Sequence, residues 1–226
     1  ASREEVRKVL RARLEDMQAN GPKPDVITFA GHKTLYAPFG IAGLYIKNGV
    51  DLEEFITGGN GIKSENPEMP RYMPAKLESA SMDSVAIAGL EASLEWLKGQ
   101  TPWEQEEKMM KYLIKQLENI PEIIIYQAPG DNAQQAGVVS LNLRGFRANE
   151  VAAILDYKHD IAVRAGHHCA GLIHRHLKNK EFDGTVRISL GMFNTKADID
   201  LLVAGLKSID RKVLKNIDNE ILRGNC

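Results

Sequence analysis

The chain has 226 residues, 43% of them hydrophobic, enough to bury a substantial core in one large domain or two modest ones. Its 29 lysines and arginines stand against 30 aspartates and glutamates, and the formal charge of −1 gives no electrostatic pull toward nucleic acid or an anionic membrane, leaving small molecules or proteins as partners. No apolar run approaches the roughly 20 residues of a membrane helix, the first residues are charged rather than signal-like, and the two cysteines, Cys169 and Cys226, make no disulfide framework, all of which suits a reducing, cytoplasmic setting.

Ser2 and Glu5 form a capping-box pattern, and Val6, Leu10, Leu14 and Met17 recur at helical spacing as far as Asn20-Gly21-Pro22, predicting an amphipathic helix over 1–20. Asp25 to Ala30 reads as a short buried strand and 43–47 as a second, with a tight loop from Tyr36 to Gly43 between them. Residues 57–83, rich in Gly, Pro, Ser and Met, make a long loop of the kind that is more often functional than idle. Val85, Ile87, Leu90, Leu94 and Leu97 predict a helix over 84–98 closed by Gly99. Thr101, Pro102 and Glu104 then supply an N-cap, a first-turn proline and a reciprocal glutamate for a helix reaching Asn119. Strands are expected at 122–127, 137–143, 160–164 and 185–190, and helices near 148–157, 169–178 and 196–222. This alternation, free of repeats and low-complexity tracts, predicts a mixed α/β or α+β chain with a boundary near Gly99-Gln100.

Two positions carry candidate chemistry. Gly31-His32-Lys33 ends the first strand in a glycine-marked turn, where the backbone can approach a ligand and one lysine can project into a cleft. Such a lysine can form a Schiff base if burial or a neighbouring positive charge leaves its amine free, and His32 beside it could donate to a phosphate. On so short a motif a solvated turn lysine is the commoner outcome. Cys169 follows the apolar run 161–163 and the string Arg164, Gly166, His167, His168, at a point where a helix is expected to begin. Helix N-terminal charge, imidazoles and Arg164 would each favour a thiolate. A buried, inert thiol is one alternative, and zinc binding is another, because His167, His168, Cys169, His174 and His176 lie within ten residues. Adjacent side chains at 167, 168 and 169 diverge, however, and no Cys-x-x-Cys pair accompanies them.

The longer strings resemble one family. Gly31-His32-Lys33 through the proline-glycine loop to Tyr45 is similar to the cofactor-lysine segment of class-V aminotransferases, in the branch of cysteine desulfurases and selenocysteine lyases. Gly58-Gly59-Asn60-Gly61 is similar to that family's glycine-rich loop near the active site. The segment 74–81 is similar to the one whose hydroxyl residue reaches the cofactor phosphate of the partner subunit, with Ser81 where a threonine is usual. Val163 to Ala170 resembles the nucleophile segment of desulfurases whose cysteine sits on a short ordered loop, and Gly184 to Thr195 resembles the terminal motif whose arginine binds the substrate carboxylate.

The resemblance implies a partial PLP-transferase fold type I. Residues 1–99 are then a truncated remainder of the large cofactor-binding domain with Lys33, and 100–226 a small C-terminal α+β domain with the nucleophilic Cys169. It implies pyridoxal 5'-phosphate held by Lys33, His32 and Ser81, L-cysteine or a related amino acid held by Arg187 and Arg164, a homodimer, and a possible sulfur-acceptor protein. Departures accompany it. Ala30 stands where many relatives have a phosphate-contacting serine, and the family's longer N-terminal portion, with its ring-stacking imidazole and pyridine-binding aspartate, has no counterpart in residues 1–24. The alternative expectation is therefore an inactive remnant that folds or binds a partner without cofactor.

Overall fold

The computed structural model describes residues 23–59, 61–62, 65–127, 137–210 and 212, and the helix predicted over 1–20 lies outside them. The chain divides into two compact units, Ala1–Gln100 and Thr101–Cys226.

In the first unit β1 (Val26–Ala30) pairs antiparallel with β2 (Ala42–Ile46), in register from Val26 opposite Ile46 to Ala30 opposite Ala42. Phe29 faces Gly43 across this ladder, and a Cβ at Gly43 would come within 2.1 Å of the Phe29 ring, so glycine makes room for the aromatic side chain. After the long loop, which includes a short 3₁₀ turn at Ala75–Leu77, α1 runs over Ser84–Leu97. The Asp83 carboxylate caps it, accepting from the N–H groups of Val85 and Ala86 at 3.1 and 3.0 Å. Its apolar stripe delivers Leu90 and Leu94 to a small core with Ala37, against which Leu35, Ile41 and Ile87 pack.

The second unit is an antiparallel sheet with helices. Its strands β3 (Ile123–Tyr126), β4 (Val138–Leu143), β5 (Arg164–Gly166) and β6 (Thr185–Ser189) lie in the order β3-β4-β6-β5. The helices are α2 (Pro102–Leu117), α3 (Ala148–His159), the short α4 (Ile173–Leu177) and α5 (Lys196–Lys207). Strand alternation sorts the sheet into two faces. Val139, Leu141 and Leu143 with Val186 and Ile188 enter the main core alongside Leu113 and Leu117 of α2, Val151 and Leu155 of α3, and Ile199 and Leu206 of α5. Ser140, Asn142, Thr185 and Arg187 occupy the opposite face, where Ser140 pairs with Arg187.

Four expectations need correction. Thr101 begins α2 without a side-chain capping bond, so the proline at the first position and not a capping box marks that start. The strand expected at 160–164 is instead Arg164–Gly166. Helix α3 ends on Asp160 at φ 54°, where the N–H groups of Asp160 and Ile161 return to the carbonyls of Asp156 and Leu155, and pairing starts only at Arg164 opposite Arg187. The helix expected over 169–178 shrinks to Ile173–Leu177, because His168 and Cys169 adopt φ of 54° and 61°. The helix expected over 196–222 is interrupted after Lys207, where the Ser208 hydroxyl donates to the Gly205 carbonyl at 2.9 Å, and 213–222 lie outside the described residues.

Candidate active site

Lys33 lies in the turn that leaves β1. Backbone bonds lock this turn: Gly31 N–H to the Ile41 carbonyl at 2.9 Å, Ala37 N–H to that of Gly31 at 2.9 Å, and Tyr36 N–H to that of Lys33 at 3.0 Å. A Cβ at Gly31 would meet Ile41 Cγ2 at 2.7 Å, so glycine lets the two segments of the turn close this tightly. The Lys33 side chain is exposed, where burial was one of the expected means of freeing its amine. The His32 ring lies 4.8 Å from that of Phe39, tilted by 30°, and Ser81 is exposed just ahead of α1.

In the second unit Cys169 is exposed, and Arg164 Nη2 donates to its Sγ at 3.3 Å. The contact sets a fixed positive charge and a hydrogen-bond donor beside the sulfur. The helix N-terminus that was expected to help does not, since α4 begins four residues later at Ile173. The thiol instead rides on two consecutive left-handed residues, each costing on the order of 1 kcal/mol for a side chain with a Cβ.

What holds the loop there is the polar face of the sheet. His168 Nε2 lies 2.9 Å from both the carbonyl oxygen and the hydroxyl of Thr185. A carbonyl only accepts, so Nε2 carries a proton, and in the neutral ring Nδ1 does not. Nδ1 is buried with no hydrogen-bonding partner among the described residues. Burial lowers the His168 pKa, and the positive charges of Arg187 and Arg164 and the neighbouring His174 push the same way against the opposing bond from Thr185. One residue earlier, the Gly184 carbonyl accepts from both Asn142 Nδ2 at 3.0 Å and Asn179 Nδ2 at 3.1 Å, the latter also 3.2 Å from His174 Nδ1. Gly184 itself has φ 103°, and a Cβ there would lie 2.4 Å from the Gly166 carbonyl oxygen.

The structure thus brings Arg164 beside Cys169 and sets Arg187 opposite Arg164 on the next strand, its Nε donating to Ser189 Oγ at 3.0 Å. Lys33, His32 and Ser81 belong to the first unit, and Arg164, Cys169 and Arg187 to the second. Among the described residues no group of three His, Cys, Asp or Glu side chains is arranged to hold a metal ion.

The class-V aminotransferase family model matches residues 14–202. The chain belongs to that family. Among curated class-V relatives, a cysteine desulfurase of Escherichia coli O157:H7 is 34% identical over 196 residues, covering 83% of this chain and 46% of the relative. One from Yersinia pestis, strain Pestoides F, is 33% identical over 204 residues, covering 87% and 48%. The chain therefore spans about half the length of the curated class-V relatives it matches. Among solved structures, the apo cysteine desulfurase of Thermococcus onnurineus NA1 superposes with a TM-score of 0.70 at 30% identity, covering 80% of this chain and 45% of that one. The cysteine desulfurase CsdA of Escherichia coli, in its S-sulfonic acid form, gives 0.69 at 27% identity, covering 85% and 47%. The fold is accordingly part of the fold type I architecture of pyridoxal-phosphate enzymes.

Class-V aminotransferases use pyridoxal phosphate. This chain's residues fit that group in two respects: an exposed amine on a turn braced by backbone bonds, and two further exposed polar side chains, His32 and Ser81, able to donate to a phosphate. The residues that sequence inspection passed over are Thr185, Asn142 and Asn179. The one available signal was strand alternation, which sets Asn142 and Thr185 on the face away from the aliphatic core.

Proposed function

We propose that this chain carries the cofactor lysine and the sulfur-accepting cysteine of a pyridoxal-phosphate-dependent cysteine desulfurase, which converts L-cysteine to alanine and leaves the sulfur as a persulfide on Cys169. The observation that carries this is the exposed Cys169 thiol on its left-handed turn, with the Arg164 guanidinium 3.3 Å from the sulfur. A structural cysteine is packed away from water, whereas a nucleophile must be reachable and stabilised as an anion.

When bound, pyridoxal phosphate supplies an aldehyde for a lysine amine and an electron-accepting ring that acidifies the α-carbon of an amino acid. Lys33 would hold it covalently, with His32 and Ser81 donating to its phosphate, Ser81 to that of a second copy in a homodimer. The Lys33 amine, once free, moves the proton at the substrate Cα. The planar guanidiniums of Arg187 and Arg164 suit the substrate carboxylate. Cys169 Sγ then attacks the substrate sulfur. A sulfur–sulfur bond forms as the substrate's carbon–sulfur bond breaks, so L-cysteine and the Cys169 thiol become alanine and the Cys169 persulfide with every atom accounted for. A thiol or a sulfur-acceptor protein then takes the outer sulfur, in a cytoplasmic setting. Residues 1–99 belong to the large domain and 100–226 to the small one in this scheme.

Incubation with pyridoxal phosphate is expected to give a visible absorbance band that borohydride reduction traps on Lys33 in peptide mass mapping, and Lys33→Ala should remove it. A colourless wild-type protein would favour the non-catalytic, partner-binding alternative.

A further inference from the structure

We propose that His168 is the positioning residue for the Cys169 thiol: its ring, bonded to Thr185, holds the left-handed turn that sets the sulfur against the Arg164 guanidinium. The meaning of this for sulfur transfer rests on the function proposed above, but the geometry does not.

Three observations converge on it. His168 and Cys169 are consecutive and both left-handed, at φ 54° and 61°, and neither is glycine, so the turn carries a conformational cost that its contacts must offset. One backbone bond closes the turn, Ala170 N–H to the His167 carbonyl at 2.8 Å, and the exposed Cys169 side chain adds the contact with Arg164, so the tie from the turn to the sheet falls to the neighbouring side chain. That neighbour, His168, is partly buried and reaches back across the loop to Thr185 on β6, with both oxygens 2.9 Å from Nε2.

The anchor and the guanidinium are tied to one frame. Thr185 pairs with Gly166 and Arg187 pairs with Arg164 on the same β5–β6 ladder, so the residue that pins the loop and the residue that meets the sulfur stand two positions apart on neighbouring strands. Gly166 and Gly184 give this frame its close approach, since a Cβ on Gly184 would strike the Gly166 backbone. Release of the His168 ring would free the turn to leave the left-handed region and carry Sγ away from Arg164. Glutamine, whose side-chain N–H₂ can take the place of Nε2–H, keeps the anchor, whereas leucine fills similar space and cannot.

The test compares alkylation of Cys169 by negatively charged iodoacetate and by neutral iodoacetamide, in a Cys226→Ser background so that one thiol reacts. The ratio of the two rates reads the positive charge beside the sulfur and requires neither cofactor nor substrate, so it is independent of whether the chain releases sulfur. Arg164→Gln sets the baseline. The expected result is that His168→Leu lowers the ratio by roughly fivefold, toward that baseline, the size of one unit charge at this range in water, while His168→Gln keeps the wild-type ratio. An unchanged ratio in His168→Leu overturns the proposal, because Cys169 is then placed without His168. Loss of native circular dichroism in His168→Leu overturns it as well, because His168 then supports the whole unit and not this turn. Loss of the ratio in folded His168→Gln does the same.

Discussion

His168 gives the site a pH dependence whose sign follows from its surroundings. Burial lowers its pKa from the ordinary histidine value, reinforced by Arg187, Arg164 and His174, while the bond to Thr185 opposes the shift. Above a pH of about 6.5 the ring is neutral in both folded and unfolded chains and its stabilisation is fully present. As the pH falls further the unfolded chain binds a proton that the folded one refuses, and this contribution is lost until the folded ring protonates too. Denaturation midpoints measured from about pH 7.5 down to about pH 5 should therefore fall more steeply for the wild type than for His168→Gln, which has nothing to titrate there. Equal slopes would mean that the His168 ring contributes nothing to the stability of the loop.

Among the elements, the pair β5 and β6 does most to shape the Cys169 loop, and Gly184 is its tightest point. An alanine there meets both a φ of 103° and a Cβ 2.4 Å from the Gly166 carbonyl oxygen, and backbone cannot swing away as a side chain can. Gly184→Ala should cost on the order of 2–4 kcal/mol, checked by urea unfolding of the purified variant against the wild type; a loss below about 1 kcal/mol would mean that the two strands separate easily at that point. Much of this sheet was legible in the sequence. The alternation of Val139, Leu141 and Leu143 with Ser140 and Asn142 gives one strand an apolar and a polar face, and Val186 and Ile188 alternate with Thr185 and Arg187 in the same way. The loop between β5 and β6 was not legible. Its histidines and cysteine have no bar to helix, and the left-handed turn at Cys169 combines a local bond, Ala170 N–H to the His167 carbonyl, with a tertiary one from His168 to Thr185, seventeen residues away in the chain. Helix α2 misled in the opposite sense, because Thr101 and Glu104 have the spacing of a capping box and yet Thr101 makes no side-chain cap.

For the whole molecule, the family was legible because each candidate residue sits in a long string: Lys33 in a turn built around Gly31 and the Pro38-Phe39-Gly40 loop, Cys169 in the segment from Val163 to Ala170. Those strings record local backbone demands, such as the close approach at Gly31 and the paired glycines 166 and 184, and these survive in a chain that spans about half the length of its curated relatives. Activity is a property of assembled walls around a cofactor, and no single string encodes it. Among the described residues the substantial core lies in the second unit, where the sheet and three helices enclose Leu141, Leu155 and Ile199, and a much smaller one surrounds Leu90 and Leu94 in the first. The measurement that tests the central claim most directly is the yield of alanine from L-cysteine, with pyridoxal phosphate and a reducing thiol present, by the wild-type chain and by Cys169→Ser. The account predicts sustained alanine and sulfide in equal amounts from the wild type and loss of both in Cys169→Ser, whose cofactor absorbance band stays intact. Undiminished desulfurase activity in Cys169→Ser, or none in a wild-type chain that binds the cofactor on Lys33, would contradict it.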